Sequence, residues 1–137
     1  MAKFVATDYK ITLDGDDFSD AIAAVNFDLS VAEQEVTAFG DNFVQRIGGL
    51  KDASVSLDFH QDFGAEAVDA TLFPKLGETI DLVVTPTSGA ISATNPAYEA
   101  TLLVVEYSPF ANSIGDLATL SVSFPLANGE VVRNTGA

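Results

Sequence analysis

The residues that could perform acid–base chemistry lie together on one stretch of alternating sequence. His60 is the single histidine, and Asp58 and Ser56 precede it by two and four residues on the same face of a predicted strand. A Ser-His-Asp triad needs the base within about 3 Å of the nucleophile, whereas strand residues i and i+2 lie roughly 7 Å apart. The spacing therefore indicates a histidine on the solvent-facing side of a strand and not a nucleophilic site.

A calcium site is the next chemistry that the acidic residues suggest. Asp14-Gly15-Asp16-Asp17 could begin an EF-hand loop, but Ser19 and Val25 stand where that loop needs Gly and Glu. The chain has no cysteine, which excludes a disulfide framework and a thiolate zinc site. It also has no P-loop, GxSxG or HExxH motif. We therefore assign no catalytic, cofactor-binding or metal-binding residue and expect a protein that is not an enzyme.

The composition sets the class of molecule. The chain has 137 residues, with 20 acidic and 6 basic side chains and a formal net charge of −14. Six cations are too few for the basic surface that binds phosphates, while 47% hydrophobic residues are enough to build a core. The longest apolar run, Ala21–Val25, is too short to cross a bilayer. We expect one domain spanning residues 1–137, without a membrane anchor.

The elements that must position any site are mostly strands. Apolar and polar residues alternate over four segments, which predicts strands with one buried face: Tyr9–Leu13, Val25–Leu29, Val55–Phe59 and Leu120–Phe124. Two more apolar segments predict strands covered on both faces: Ile80–Val84 and Thr101–Val105. A helix is predicted over Ala65–Phe73, with Asp62 as its N-cap and Pro74 at its end. The fold class is therefore mainly β, a β-sandwich or partly open barrel with one flanking α-helix.

Several apolar residues lie in predicted loops, where they could contact other proteins or fold back under their own loops. One such stretch is bracketed by Gly40-Asp41-Asn42 and Gly48-Gly49, and another surrounds Asn112–Asp116. We take the residues of these loops as candidate inter-subunit contacts: Phe43, Val44, Arg46, Ile47, Leu50, Phe110 and Ile114. Asn128-Gly129 predicts a terminal hairpin. Residues 1–20 and 127–137 are candidate assembly arms.

The order of certain segments resembles the major tail tube proteins of long-tailed bacteriophages, especially the small versions in phages of actinobacteria. The resemblance covers most of the chain from about residue 20 to 126, with a helix between the strands around Leu57 and Leu82. The segments that carry it are Val36-Thr37-Ala38-Phe39-Gly40-Asp41-Asn42-Phe43, Gly48-Gly49-Leu50-Lys51-Asp52-Ala53-Ser54-Val55-Ser56-Leu57, Ala93-Thr94-Asn95-Pro96-Ala97-Tyr98-Glu99, Ser108-Pro109-Phe110 and Gly115-Asp116-Leu117-Ala118.

This resemblance implies a structural virion protein. Such proteins share a fold with the inner tubes of type VI secretion machines and form hexameric rings that stack into a hollow tail tube for DNA passage. The implied partners are further copies of the chain, the tape measure, tail terminator and tail tip proteins, and genomic DNA as a transient passenger. The implied location is the phage tail, after synthesis and assembly in the cytoplasm of the bacterial host.

Charge and loop content suggest how such a tube would use this chain. Acidic side chains facing a lumen would repel DNA phosphates, and the candidates are Asp28, Asp58, Asp62 and Asp81. Contacts between rings are expected from the loop Gly40–Leu50, the leader and first strand Met1–Leu13, and the tail after Leu126. Two alternatives stay open: a virion or surface β-domain that binds without forming a tube, such as a capsid decoration protein, and an acidic carbohydrate-active or metal-binding sandwich.

Overall fold

The computed structural model describes residue 3 and residues 5–136 and confirms the mainly β fold class. All seven strands belong to one antiparallel sheet with the order β2-β1-β5-β6-β7-β4-β3. The elements are β1 (Lys10–Leu13), β2 (Asp16–Asp17), a 3-10 turn (Ser19–Ala21), β3 (Ile22–Glu35), β4 (Arg46–His60), α1 (Val68–Leu72), β5 (Thr79–Thr85), β6 (Ala97–Leu103) and β7 (Thr119–Asn134).

The long strand β7 makes the sheet fold over on itself. Its first half, Thr119–Pro125, pairs with β4, and its second half, from Leu126 to Asn134, pairs with β6. Side chains from both halves therefore meet in one core, which α1 helps to cover with Val68 and Leu72. The result is a partly open barrel and not two separate sheets.

Strict alternation along the central strands supplies this core. In β4, Val55, Leu57 and Phe59 are fully buried, and each contributes about 2 kcal/mol by leaving water. The prediction that β5 and β6 are covered on both faces is wrong for the isolated chain, because only their inner faces are buried. Asp81 is exposed on the outer face of β5, since nothing in the described residues packs over it.

Two segments that contain glycine adopt different structures, one a turn and the other a bulge. Asp14 and Gly15 both adopt positive φ and join β1 to β2, so this acidic segment is a tight hairpin turn. The hairpin predicted at Asn128-Gly129 is wrong, because β7 continues through it. Gly129 has a φ of 71° and lies in a bulge, where three β7 residues stand opposite the single residue Ala100. The left-handed conformation that Gly favours serves a bulge as well as a turn.

The helix is shorter than predicted. It spans Val68–Leu72 with Ala67 at its N-cap position, so the assignment of Asp62 as N-cap is wrong. The Asp62 carboxylate instead accepts a hydrogen bond from the backbone N–H of Gly64 at 2.9 Å. Val68 and Leu72 of this helix reach the core, whereas Phe73 is exposed. The helix ends before Pro74, as predicted.

Candidate assembly surfaces

The β3–β4 hairpin extends beyond the body of the barrel, and we call residues 29–52 the arm. Among the described residues, β4 pairs with β7 from Ser54 to His60, and the remainder of β4 pairs with β3 alone. Every residue of the arm is exposed. A hairpin of two strands is at best marginally stable in water without a further packing partner. The arm is therefore an exposed hairpin over which no other described segment packs.

Part of the arm was expected to be a loop, and this expectation is wrong. Arg46, Ile47, Gly48, Gly49 and Leu50 all lie in β4. The two glycines pack closely on β3: an added Cβ would lie 3.2 Å from a methyl group of Val31 at Gly48, and 3.2 Å from the Ala32 carbonyl oxygen at Gly49. The small residues therefore permit a close strand approach beside a register shift and do not break the strand.

The tip of the arm carries large apolar side chains. Phe39 is fully exposed in a turn in which the Ala38 N–H donates to the Asp41 carboxylate at 2.9 Å. Leu50 is 86% exposed, although it belongs to a strand. We define the arm tip as Phe39, Phe43, Val44 and Ile47. Phe39 was missed as a candidate, although its position next to Gly40 could have indicated an exposed turn.

Arg46 lies on the arm but has a different environment from its apolar neighbours. Its Nε atom lies 2.7 Å from a carboxylate oxygen of Glu33, which comes two residues before Glu35, the cross-strand partner of Arg46. Both side chains are more than half exposed, so this ion pair contributes little to stability. Its effect is to cancel one of the few positive charges on the arm.

A second apolar surface lies at the other end of β4. The Gln61 N–H donates to the Ala118 carbonyl at 2.9 Å, which joins the segments that leave β4 and enter β7. Beside this junction the rings of Phe63 and Phe110 stack with centroids 5.5 Å apart. We define the platform as Phe63, Phe110, Ile114 and Leu117, all exposed. Phe63 was not predicted as a contact residue, because its stack on Phe110 joins segments far apart in sequence, and Leu117 was not predicted either.

A hydrogen-bonded cluster fixes the segment that carries the platform. The Tyr107 hydroxyl donates to the Asp69 carboxylate at 2.6 Å, and Gln61 Nε2 donates to the Tyr107 oxygen at 3.2 Å and to the Pro109 carbonyl at 3.0 Å. Burial, followed by the bond to Asp69, raises the pKa of Tyr107 to about 12. The cluster ties the segment before Phe110 to α1, and we call it the latch.

The base of the arm borders a groove of about 840 Å³. Leu29, Val31 and Lys51 line it from the arm, and Tyr98 and Arg133 line it from β6 and β7. Farther in, the rings of Phe27 and Tyr98 meet edge to face with centroids 6.0 Å apart. This groove is the mouth of the barrel at the arm end, and it holds two of the chain's six basic residues.

The outer face of β3, β4 and the first half of β7 is polar and acidic. Asp28 and Asp58 are exposed on it, and residues 24–30, 54–60 and 119–125 include no lysine or arginine. Hydroxyl groups fill the space between them, including Ser56 and Ser123, whose oxygens lie 3.2 Å apart. We call this surface the polar face: Asn26, Asp28, Ser54, Ser56, Asp58, Ser121 and Ser123.

The other two acidic candidates lie elsewhere. Asp62 follows β4, in the segment that leads to α1. Asp81 lies on the outer face of β5, where its carboxylate accepts a hydrogen bond from the Thr101 hydroxyl at 3.0 Å. The fold therefore brings Asp28 and Asp58 to one surface and leaves Asp62 and Asp81 apart from it. That any of the four faces a lumen stays a prediction.

The histidine makes no contact typical of a catalytic site. Asp58 accepts a hydrogen bond from the Ser121 hydroxyl at 2.5 Å, and Ser56 pairs with a β7 serine, so neither is engaged with His60. His60 is half-buried, and its Nδ1 atom has no hydrogen-bond partner among the described residues. The geometry agrees with the spacing argument that these residues form no triad.

Within residue 3 and residues 5–136, no group of three or more His, Asp or Glu side chains is arranged to hold a metal ion. None of the helices in the same range is long and apolar enough to cross a membrane.

Comparison with known proteins bears on the fold. No protein-family model matches the chain, and no curated protein matches it. Among solved structures it is similar to a chain of the virion of a native gene transfer agent (GTA) particle, with a TM-score of 0.72 and 18% sequence identity. The likeness covers 93% of this chain and 96% of that chain, so the two share a fold over nearly their whole lengths.

Proposed function

We propose that this chain is a structural virion protein, without enzymatic activity, whose copies form hexameric rings that stack into a hollow tail tube. The shared fold with a chain of a gene transfer agent virion supports a place in a phage-like particle. The observation that carries self-assembly is the exposed arm, which presents large apolar side chains on a hairpin over which no other described residue packs. The partners of this chain are then further copies of itself, together with the tape measure, terminator and tip proteins of a tail.

The arrangement of surfaces fits a head-to-tail assembly. The arm tip and the platform lie at opposite ends of β4, a strand of 15 residues that is about 50 Å long at roughly 3.3 Å per residue. Different patches at opposite ends give heterologous contacts, which continue from copy to copy and do not stop at a dimer. Such contacts suit rings stacked along an axis.

The polar face supplies a surface suited to a DNA channel. It carries carboxylates and hydroxyls without lysine or arginine, so phosphates would be repelled and not bound. DNA would then be a passenger. The edge strand β3 has one side without a strand partner among the described residues, and pairing of such edges between neighbours would extend this face around a ring.

The terminal segments are further candidates for contacts between rings. Part of each lies in the sheet, as β1 and β2 near the start and as β7 up to Asn134 near the end. Met1, Ala2, Phe4 and Ala137 lie outside the described residues.

The test is negative-stain electron microscopy of the purified protein. Rings and tubes are expected for the natural sequence, and a strict monomer would favour a decoration-type binding domain instead. Deleting residues 41–49 would test the arm but would remove part of β4 as well. The double substitution Phe39→Ser and Phe43→Ser tests the arm more specifically, because it leaves the strand in place.

The double variant should keep its far-UV circular dichroism and lose tubes, because both rings are exposed in the isolated chain. Ile91→Ser is the matched control, since Ile91 is an exposed apolar residue outside the arm, and it should still give tubes. Normal tubes from the double variant would contradict the role of the arm.

A further inference from the structure

The sheet opens between β4 and β7 at Pro125. Ser54 and Pro125 form the last pair of the β4–β7 ladder at the arm end, and a proline has no N–H with which to continue a ladder. Beyond this point β7 pairs with β6, while β4 continues into the arm beside β3. Each strand therefore has an edge that no other described strand covers: residues 46–53 of β4 and residues 126–134 of β7.

The groove at the base of the arm lies between these two edges. Lys51 and Ala53 line it from β4, and Leu126 and Arg133 line it from β7. The groove has a volume of about 840 Å³, and the uncovered edge of β4 is about 26 Å long at roughly 3.3 Å per residue, so an extended segment has room here. The Ala53 N–H, just past the last β4–β7 pair, donates to the Asp52 carboxylate at 2.8 Å, so a side chain and not a strand accepts it.

Two cations on opposite walls of this groove have no carboxylate partner among the described residues. The chain has 20 acidic side chains, yet the ion pairs of the described residues are formed by cations other than Lys51 and Arg133. Asp52 and Glu130 also border the groove, but the Asp52 carboxylate already accepts the Ala53 N–H. An acidic ligand in the groove would therefore meet a positive charge on each side.

We infer that this groove accepts an extended acidic segment of a different protein, which adds as a strand to the uncovered edge of β4 and lies against β7. In this mode of peptide recognition, main-chain hydrogen bonds to an exposed edge give affinity and the side chains give specificity. Here the specificity is for negative charge, supplied by Lys51 and Arg133. The inference goes beyond the proposed function, because it does not depend on rings or tubes.

A strand of a second copy fits the groove less well. A segment that fills a gap between two edges needs both of its own edges unpaired, whereas every described strand of this chain already has a strand partner on at least one side. Residues 5–9 lie outside the strands, but they carry a single carboxylate, on Asp8, which already accepts hydrogen bonds from Ser88. A separate acidic protein is therefore the occupant to which the groove is complementary.

Fluorescence anisotropy with a labelled peptide tests the inference. The probe is the fluorescein-labelled peptide Val-Glu-Val-Glu-Val-Glu-Val, titrated with the full chain at low ionic strength. We expect saturable binding that weakens as NaCl is added, and about tenfold weaker binding to Lys51→Glu or Arg133→Glu. Lys3→Glu is the matched control, since it makes the same charge change on an exposed residue away from the groove, and it should bind as the natural chain does. Circular dichroism confirms that each variant folds.

Two further peptides separate strand addition from simple charge attraction. The same sequence with methyl groups on its backbone nitrogens keeps the carboxylates but cannot donate to a strand edge, and it should not bind; nor should the peptide with lysine in place of glutamate. No binding of the glutamate peptide, equal binding of the methylated peptide, or unchanged affinity in both groove variants would overturn the inference. A change in the sedimentation of the chain alone on Lys51→Glu, with no effect on the peptide, would assign the groove to a second copy instead. Each of these failures would leave the proposed function standing, because that function is tested by the presence of tubes.

Discussion

The latch offers a perturbation whose size can be worked out from the structure. Tyr107→Phe removes one hydroxyl that donates to the Asp69 carboxylate at 2.6 Å and accepts from Gln61 at 3.2 Å. A hydrogen bond to a charged group contributes about 1.5–3 kcal/mol. Since Tyr107 and Asp69 are both partly exposed and water can replace the lost contact, we expect the low end, a loss of about 1.5 kcal/mol in the free energy of unfolding.

The pH dependence of this loss has a definite sign. Burial and the Asp69 contact raise the pKa of Tyr107 from 10.0 to about 12, so the folded chain favours the neutral phenol. The resulting stabilisation is complete below pH 10 and disappears as the pH rises from 10 to about 12. The difference between natural chain and variant should therefore be constant from pH 7 to 9 and shrink above pH 10.

Urea denaturation of both proteins across this pH range measures the effect. Ionisation of lysines and the remaining tyrosines is common to the two proteins, so it cancels in the difference. A double-mutant cycle with Asp69→Ala isolates the pairwise interaction, which should be close to the loss seen for Tyr107→Phe. Equal stability at pH 7, or a difference that does not change between pH 9 and 11, would refute the argument.

Two further predictions concern the β5–β6 connection and assembly. Asn95 is buried, accepts a hydrogen bond from the Thr87 N–H at 3.1 Å and donates to the carbonyls of Gly89 and Ala90, so Asn95→Ala should lower the free energy of unfolding by about 2–3 kcal/mol. An unchanged urea midpoint would contradict this role. Because each copy carries a charge of −14, light scattering from assembled protein should increase between about 0.05 and 0.5 M NaCl. Tubes that dissolve on adding salt would refute this account.

The core was predictable from sequence because it depends on local alternation. Val55, Leu57 and Phe59 repeat with a period of two, and a barrel wall with one wet face requires that pattern. Gly48, Gly49 and Gly129 were wrong as indicators of loops and turns, for a physical reason. A glycine permits a turn, a bulge or a close strand approach equally well, and the partner that decides lies far away, such as β3 for Gly48 and β6 for Gly129.

The candidate surfaces were predictable only in part. Phe43, Leu50, Phe110 and Ile114 are predicted as apolar residues of loops, and the fold exposes all four, although Leu50 lies in β4. Their role in contacts stays a prediction. The stack of Phe63 on Phe110 could not be foreseen, because it forms only when the segments that flank α1 and β7 come together.

The continuity of β4 has a mechanical consequence. The same covalent strand runs from the arm to the residues beside the platform, and β7 holds it from Ser54 to His60. A pull along the strand direction would load these antiparallel hydrogen bonds side by side, in shear, and would not peel them apart one at a time. If arm and platform carry the axial contact, tension in a stack of copies passes along the direction in which each copy is hardest to stretch.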